Sequence, residues 1–244
     1  MSSATYLRYE LLRTFRNRRF LVLSLGFPVV LYFLVAGPNR HVHDLGGSGI
    51  SAPLYFMVGL ASFGTMNAMV SSGARIAAER TVGWNRQLRL TPLSPRQYFR
   101  AKVLASYGLS LCTLALLYIA GGSLGVHLAA GNWLHMTVQI LIGLIPFAAL
   151  GIWLGHVLSS DSVGPAVGGL TALFSFLGGV WYPITSGAMH DIAEALPSFW
   201  LVQAAHVALG GSGWGARGWL VDGAWTVALG VLAARAFRRD TGRA

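Results

Sequence analysis

The sequence predicts an all-α protein that crosses a lipid bilayer several times, and two features of its composition support that prediction. Hydrophobic residues make up 54% of the chain, whereas charged residues make up only 11%. Several apolar runs approach the roughly 20 residues that cross about 30 Å of hydrocarbon as a helix. These runs are almost uniformly apolar and lack the alternation of a transmembrane β-strand, so we expect helices, which satisfy their own backbone groups in lipid.

Six apolar runs are bounded by charges, by glycine and proline or by polar clusters, as is typical of transmembrane helices. We place the six spans at residues 20–36, 53–74, 103–125, 135–158, 163–183 and 218–235. We expect them to form one transmembrane domain over residues 1–244.

The distribution of lysine and arginine predicts how the spans are oriented. Five of the 18 basic residues precede the first span, seven lie between the second and third spans, and four lie at or after Arg235. Only Arg40 and Arg217 remain for the opposite side. Because basic residues concentrate in cytoplasmic loops, both termini and the connector between spans two and three, residues 75–102, are predicted to be cytoplasmic.

The N-terminal segment, residues 1–19, is predicted to be an amphipathic helix lying on the cytoplasmic leaflet. Its apolar positions recur at helical spacing and its polar positions fall on the opposite face. The apolar set is Ala4, Leu7, Leu11 and Phe15, and the polar set is Glu10, Arg13 and Asn17.

The connector is predicted to contain two helical pieces around a turn. The second span can continue as a helix as far as Arg89, and Thr91-Pro92 then stops it, because the residue before a proline is disfavoured in helical geometry. Ser94 starts the next helix, with Pro95 at its first position and Gln97 completing a capping box. The third helix is therefore expected to begin outside the bilayer.

The order of residues in the connector resembles the corresponding loop of ABC-2 type export permeases, above all the drug-resistance members. The matching residues are Glu79, Arg80, Gly83, Leu88, Arg89, Thr91, Pro92, Leu93, Ser94, Tyr98 and Lys102. The chain departs from the family pattern at Trp84, where many relatives carry threonine. The six-span layout, the N-terminal surface helix and an outer hairpin that we expect after the fifth span, at residues 187–212, also resemble this family. The likeness therefore covers nearly the whole chain.

The resemblance implies that the connector is a coupling loop that docks on a separate ATP-binding subunit. The residues that it assigns to coupling are Glu79, Arg80, Gly83, Trp84, Arg86, Leu88, Arg89, Thr91 and Pro92. The segment 187–212 is apolar but interrupted, and its longest clean piece is too short to cross a bilayer. We expect it to form short re-entrant helices at the outer mouth, with His190, Asp191, Glu194 and Pro197 as outer-gate residues.

Catalytic residues and metal ligands are not expected in this chain. It has no GxxxxGK[ST] phosphate-binding loop, so ATP and Mg²⁺ are expected on the partner subunit and no cofactor on this one. The chain is also too apolar, without a separate soluble domain, for nucleic acid to be an expected partner.

These expectations together describe the permease subunit of an ATP-binding cassette exporter in a bacterial inner membrane. The resemblance implies a hydrophobic or amphipathic cargo, such as a drug, an antibiotic or a lipid, and pairing with a second permease as a homodimer or heterodimer. The alternative is a secondary, ion-coupled transporter. Such carriers bury ionisable residues near the midplane, where this sequence places none, with Asp222 expected near the outer end of the last span.

Overall fold

The computed structural model describes residues 3–83, 87, 93–210 and 213–241, and over these residues the chain is helical without a strand. The predicted all-α fold is confirmed for this part of the chain. The elements are α1 Ser3–Arg16, α2 Arg18–Leu21, a π-helical turn Val22–Gly26, α3 Phe27–Ala36, α4 Ala52–Val70, α5 Ser72–Thr81, α6 Pro95–Ser123, α7 Ala130–Gly143, α8 Ile145–Val157, α9 Ser160–Leu177, α10 Ala188–Glu194, α11 Pro197–Gln203, a 3₁₀ turn Ala204–Leu209 and α12 Ala216–Thr241.

Four helical stretches within the described residues are long and apolar enough to cross a membrane, so this is a multi-pass membrane protein. They are Ala52–Thr81, Pro95–Ser123, Ala130–Val157 and Ala216–Asp240. A fifth is reached if the bent pair Ala188–Glu194 and Pro197–Leu209 counts as one span. The two members of that pair meet at 95°, the geometry of a broken span or a re-entrant hairpin.

The first and fifth predicted spans are not among these four stretches. The apolar helix Val22–Ala36 covers only about 22 Å at 1.5 Å per residue, which is less than the hydrocarbon thickness. Helix α9 is 18 residues long, and its first turn carries Asp161, which lowers its hydropathy. The six-span layout therefore stays a prediction.

Helix α4 forms the centre of the core. It is buried on all sides and contacts α3, α6, α8, α9 and α11. Its two aliphatic hydroxyls at Ser62 and Thr65 are satisfied within the helix: Ser62 Oγ donates to the Val58 carbonyl at 2.8 Å, and Thr65 Oγ1 donates to the Ala61 carbonyl at 2.7 Å. A helix that is apolar all round is expected at the centre of a bundle, and the other spans pack around it.

The predicted capping box at the start of α6 is confirmed. Ser94 has extended backbone geometry, its Oγ accepts from the Gln97 amide at 3.3 Å, and Gln97 Oε1 accepts from the Ser94 amide at 2.9 Å. Pro95 occupies the first helical turn. Two amide groups that the helix cannot pair itself are thereby satisfied, which fixes where α6 begins.

The expected continuation of the second span as a helix to Arg89 is wrong. Helix α5 ends at Thr81, and the chain turns at Gly83, which adopts φ +70°. The Gly83 amide donates to the Arg80 carbonyl at 3.1 Å, so the turn closes directly on the end of the helix. A residue with a Cβ is strained at this φ, and glycine is the usual residue where a helix stops this way.

Small residues bring α5 and α8 into backbone contact. A Cβ added to Gly73 would lie 2.3 Å from the Gly151 carbonyl oxygen, and one added to Gly155 would lie 2.7 Å from the Gly73 carbonyl oxygen. Gly151 and Gly155, four residues apart on α8, thus line a close helix contact of the kind that small residues allow in lipid. At Gly164 and Gly168, another pair four residues apart, an added Cβ meets no described atom within 4 Å.

Substitution of Gly73 by alanine is expected to destabilise the protein, because the new methyl group would overlap the α8 backbone and force the helices apart. We expect a clear drop in melting temperature in detergent, with a cost of about 1–3 kcal/mol. Gly168→Ala is the matched control. It adds a methyl group in open space inside a helix and should leave stability unchanged or slightly raised. Equal melting temperatures for the two variants would contradict the close backbone contact between α5 and α8.

Candidate functional site

The connector is anchored to the membrane domain by a largely buried group of paired residues that we call the ion cluster: Glu10, Arg13, Glu79, Tyr98 and Lys102. The Lys102 ammonium group lies 2.7 Å from Glu10 Oε1 and also binds Glu79 Oε1. The Tyr98 hydroxyl donates to Glu79 Oε2 at 2.6 Å, and Arg13 Nη1 donates to Glu79 Oε1 at 2.7 Å. Both oxygens of Glu79 are therefore engaged.

The central members of the ion cluster are removed from solvent. Lys102 is 0% exposed, Glu79 2% and Glu10 4%. A buried charge is costly unless it is paired and hydrogen-bonded, and here one ammonium group neutralises two carboxylates with help from the Arg13 guanidinium. The ion cluster therefore fixes three elements, α1, α5 and α6, in one arrangement.

Arg75 extends the same interface by one turn of α5. Its Nη1 donates to Thr14 Oγ1 at 2.7 Å, and its Nη2 donates to Ser106 Oγ at 3.0 Å. Thr14 lies on α1 and Ser106 on α6, so this guanidinium links the same three helices as the ion cluster. The positive charge of Arg75 therefore serves a contact between helices inside the protein.

The predicted polarity of α1 is wrong in one respect. Glu10 was expected on the water-facing side, but Tyr6, Glu10 and Thr14 form the buried face of the helix. The reason is the Lys102 ammonium group, which attracts the Glu10 carboxylate inward. Leu12 and Phe15 are exposed instead, at 45% and 37%. The placement of this helix on the cytoplasmic leaflet stays a prediction.

Arg80, the second coupling residue, lies on the other side of α5. Its Nη2 donates to Asp240 Oδ1 at 2.9 Å and its Nε lies 2.9 Å from Asp240 Oδ2, near the end of α12. It also donates to backbone carbonyl oxygens at the end of α8. Glu79 and Arg80, adjacent in sequence, thus join α5 to different partners.

The remaining coupling residues fall partly outside the described chain. Gly83 is described as the turn that ends α5. The predicted residues Trp84, Arg86, Leu88, Arg89, Thr91 and Pro92 lie outside the described residues. Their role stays a prediction.

The predicted outer-gate residues come together around α10. The Glu194 carboxylate binds Arg217, at the start of α12, and lies 3.3 Å from His190 Nε2. The Trp200 indole donates to the Glu194 carbonyl at 3.0 Å, and Pro197 opens α11. Asp191 is exposed. These contacts hold the two short helices at their sharp angle.

A cavity of about 240 Å³ lies beneath these short helices. Polar side chains and aromatic rings share its wall. Members of that wall include Ser48, Tyr55, His190, Phe199, Gln203 and His206. Such a mixed lining can accept an amphipathic molecule.

Asp222, which the sequence reasoning placed near the outer end of the last span, is a buried carboxylate on α12. It is only 5% exposed, and its Oδ1 has no hydrogen-bond partner among the described residues. Thr226 Oγ1, one turn along α12, is likewise without a partner in that part of the chain. Across the described residues, no three His, Cys, Asp or Glu side chains come together in a metal-binding arrangement.

Comparison with known proteins agrees with the resemblance in the connector. The family described as ABC-2 type transporter matches residues 3–209. A Bacillus subtilis (strain 168) protein described as "Putative transport permease YvfS" is 26% identical over 195 residues, which covers 78% of this chain and 78% of that protein. The family match spans every helix from α1 through the outer hairpin. The chain therefore belongs to the ABC-2 type transporter family.

Proposed function

We propose that this chain is the membrane subunit of an ATP-binding cassette exporter, in which a separate subunit hydrolyses ATP and docks on the connector. The single observation that carries the proposal is the ion cluster, which joins the coupling residue Glu79 to α1 and α6. Family membership supports it, because ABC-2 permeases are membrane subunits that pair with an ATP-binding subunit.

The ion cluster supplies a mechanical reason for this role. A displacement of the connector reaches α5 first, and α5 continues α4 at the centre of the core. Because Lys102 and Glu79 are buried and paired, α1 and the start of α6 must follow α5 or leave charges unpaired in a dry environment. Motion at the cytoplasmic surface is thereby converted into tilting of the helices that line the bundle.

The outer hairpin completes the proposed path. We infer that the cargo is hydrophobic or amphipathic, drug-like or lipid-like, and leaves through the outer gate beside the cavity under α10 and α11. The protein lies in a bacterial inner membrane with both termini in the cytoplasm and pairs with a second permease. The apolar side chains that α12 exposes, including Leu220 and Val227, suit contact with lipid or with that second subunit.

Reversing the charge of Arg86 and Arg89 together is expected to abolish binding of the ATP-binding subunit, because both side chains would repel the surface that they normally meet. The permease and an ATP-binding cassette subunit from a neighbouring gene are co-expressed, and co-purification and ATP hydrolysis are measured in proteoliposomes. Arg40→Glu, on the predicted outer side, is the control and should behave as wild type. A wild-type rate of ATP hydrolysis in the complex that contains the doubly reversed permease would contradict the proposed docking role of these two residues.

Substitution of Lys102 by methionine is expected to lower the melting temperature strongly, because two buried carboxylates lose their common cation at a cost of about 3–5 kcal/mol. Stimulated ATP hydrolysis should fall with it. Arg100→Met removes a positive charge from the exposed face of the same helix and is the matched control. Adding Glu10→Gln and Glu79→Gln to Lys102→Met should recover part of the lost stability. A melting temperature unchanged by Lys102→Met would refute the structural role of the ion cluster.

The buried Asp222 carboxylate supports ion-coupled transport as a second candidate function. A buried carboxylate with an unpartnered oxygen is costly in a membrane and often marks an ion pathway. Asp222→Asn removes the charge and preserves the shape, so it separates the two functions.

If ATP drives export, Asp222→Asn should leave ATP-dependent transport of a lipophilic dye such as ethidium near wild type in proteoliposomes. If a gradient drives export, the wild-type protein should move the dye under an imposed pH difference without ATP, and the variant should not. Asp161→Asn, which removes a carboxylate from the exposed start of α9, is the control. Gradient-driven transport that depends on Asp222 would overturn the ATP-driven proposal.

A further inference from the structure

We propose that Arg80, His156 and Asp240 form a clamp that makes the coupling end of α5 move together with the cytoplasmic ends of α8 and α12. The proposal rests on the coupling function proposed above and adds the route by which motion reaches the last helix. Arg80 and Asp240 are positioning residues in this scheme, since they act on helices and not on cargo.

The first contact of the clamp is a two-point ion pair. Arg80 Nη2 donates to Asp240 Oδ1 and Arg80 Nε lies beside Asp240 Oδ2, both at 2.9 Å. A guanidinium that meets both carboxylate oxygens fixes orientation as well as distance. The two residues are 160 positions apart in the sequence, so the pair joins elements that the chain does not connect locally.

The second contact places the same guanidinium on the end of α8. Arg80 Nη1 donates to the Gly155 carbonyl at 3.0 Å and to the Leu158 carbonyl at 3.4 Å. The last carbonyls of a helix lack partners within the helix and carry the negative end of its dipole. One arginine therefore binds α8 and α12 together.

The third contact orients Asp240. His156 Nδ1 lies 3.1 Å from Asp240 Oδ2, and the His156 side chain is 1% exposed. Phe99 and Phe237 stack against the imidazole edge to face, with ring centroids at 5.7 Å and 5.6 Å. The aromatic rings of α6 and α12 thus hold the histidine in place, and the histidine holds the carboxylate.

The energetics favour a role in transmission over a role in folding. Arg80 and Asp240 are 28% and 27% exposed, and ion pairs with solvent access contribute only about 0.2–1 kcal/mol to stability. The deeper ion cluster on the opposite side of α5 already secures that helix to α1 and α6. The clamp adds the connection that the ion cluster lacks, from α5 to α8 and α12.

The test uses the permease in complex with its ATP-binding subunit in proteoliposomes, with Cys112 replaced by alanine. Asp240→Asn should leave subunit binding and the melting temperature near wild type, and Arg80→Ala is the second variant. Ethidium transported per ATP hydrolysed should fall several-fold, because the last helix no longer follows α5. Arg239→Ala, an exposed substitution on α12, is the control for charge loss at this surface.

A cross-linked variant keeps the test decisive. Arg80→Cys with Asp240→Cys should lose transport per ATP when reduced and regain it when a short bismaleimide joins the two thiols. Failure of the cross-link to restore transport would overturn the proposal, since the clamp is expected to stay closed during the cycle. Unchanged transport per ATP in Arg80→Ala would overturn it as well.

The clamp can also be judged apart from the proposed function. Spin labels at the exposed positions Ala78 and Ala234 report the separation of α5 and α12 in the permease alone, in nanodiscs. Arg80→Ala should broaden or shift that distance, and an unchanged distance would contradict the clamp. If the wild-type chain bound no ATP-binding subunit, the proposed function would fail while this measurement still decided the contact.

Discussion

The pairing of one buried ammonium group with two buried carboxylates is the constraint on which the half of this protein that carries the connector depends. Lys102, Glu79 and Glu10 come from three separate helices, and loss of Lys102 would deprive both carboxylates of the ammonium group that they share. Desolvation makes such a group expensive to build and more expensive to break. Its geometry therefore dictates how α1, α5 and α6 meet at the surface where the connector begins.

Two kinds of contact with different strengths flank α5. On one face Lys102, Glu79 and Glu10 are buried and paired, so this contact is rigid. On the other face the Arg80 and Asp240 pair has solvent access, while glycine at Gly73 and Gly151 brings the backbones of α5 and α8 into contact. A helix held firmly on one side and closely packed on the other transmits displacement with little loss, which suits a coupling element.

The half of the protein that carries α10 and α11 is held together by different contacts. There the helices are short, they bend at 95°, and the contacts of Glu194 with His190 and Arg217 lie near the surface. The cavity under α10 and α11 mixes aromatic and polar groups, unlike the uniformly apolar surroundings of α4.

The sequence by itself determined the helical class and the cap at Ser94, because hydropathy, proline and capping residues act over a few neighbouring positions. It also placed the family motif around Glu79. It could not show that Glu10 turns inward to Lys102, or that Arg80 reaches Asp240. These partners are far apart in the chain, and the sequence does not indicate which oppositely charged residues pair. Only tertiary packing, which decides where a charge loses its water, selected those pairs.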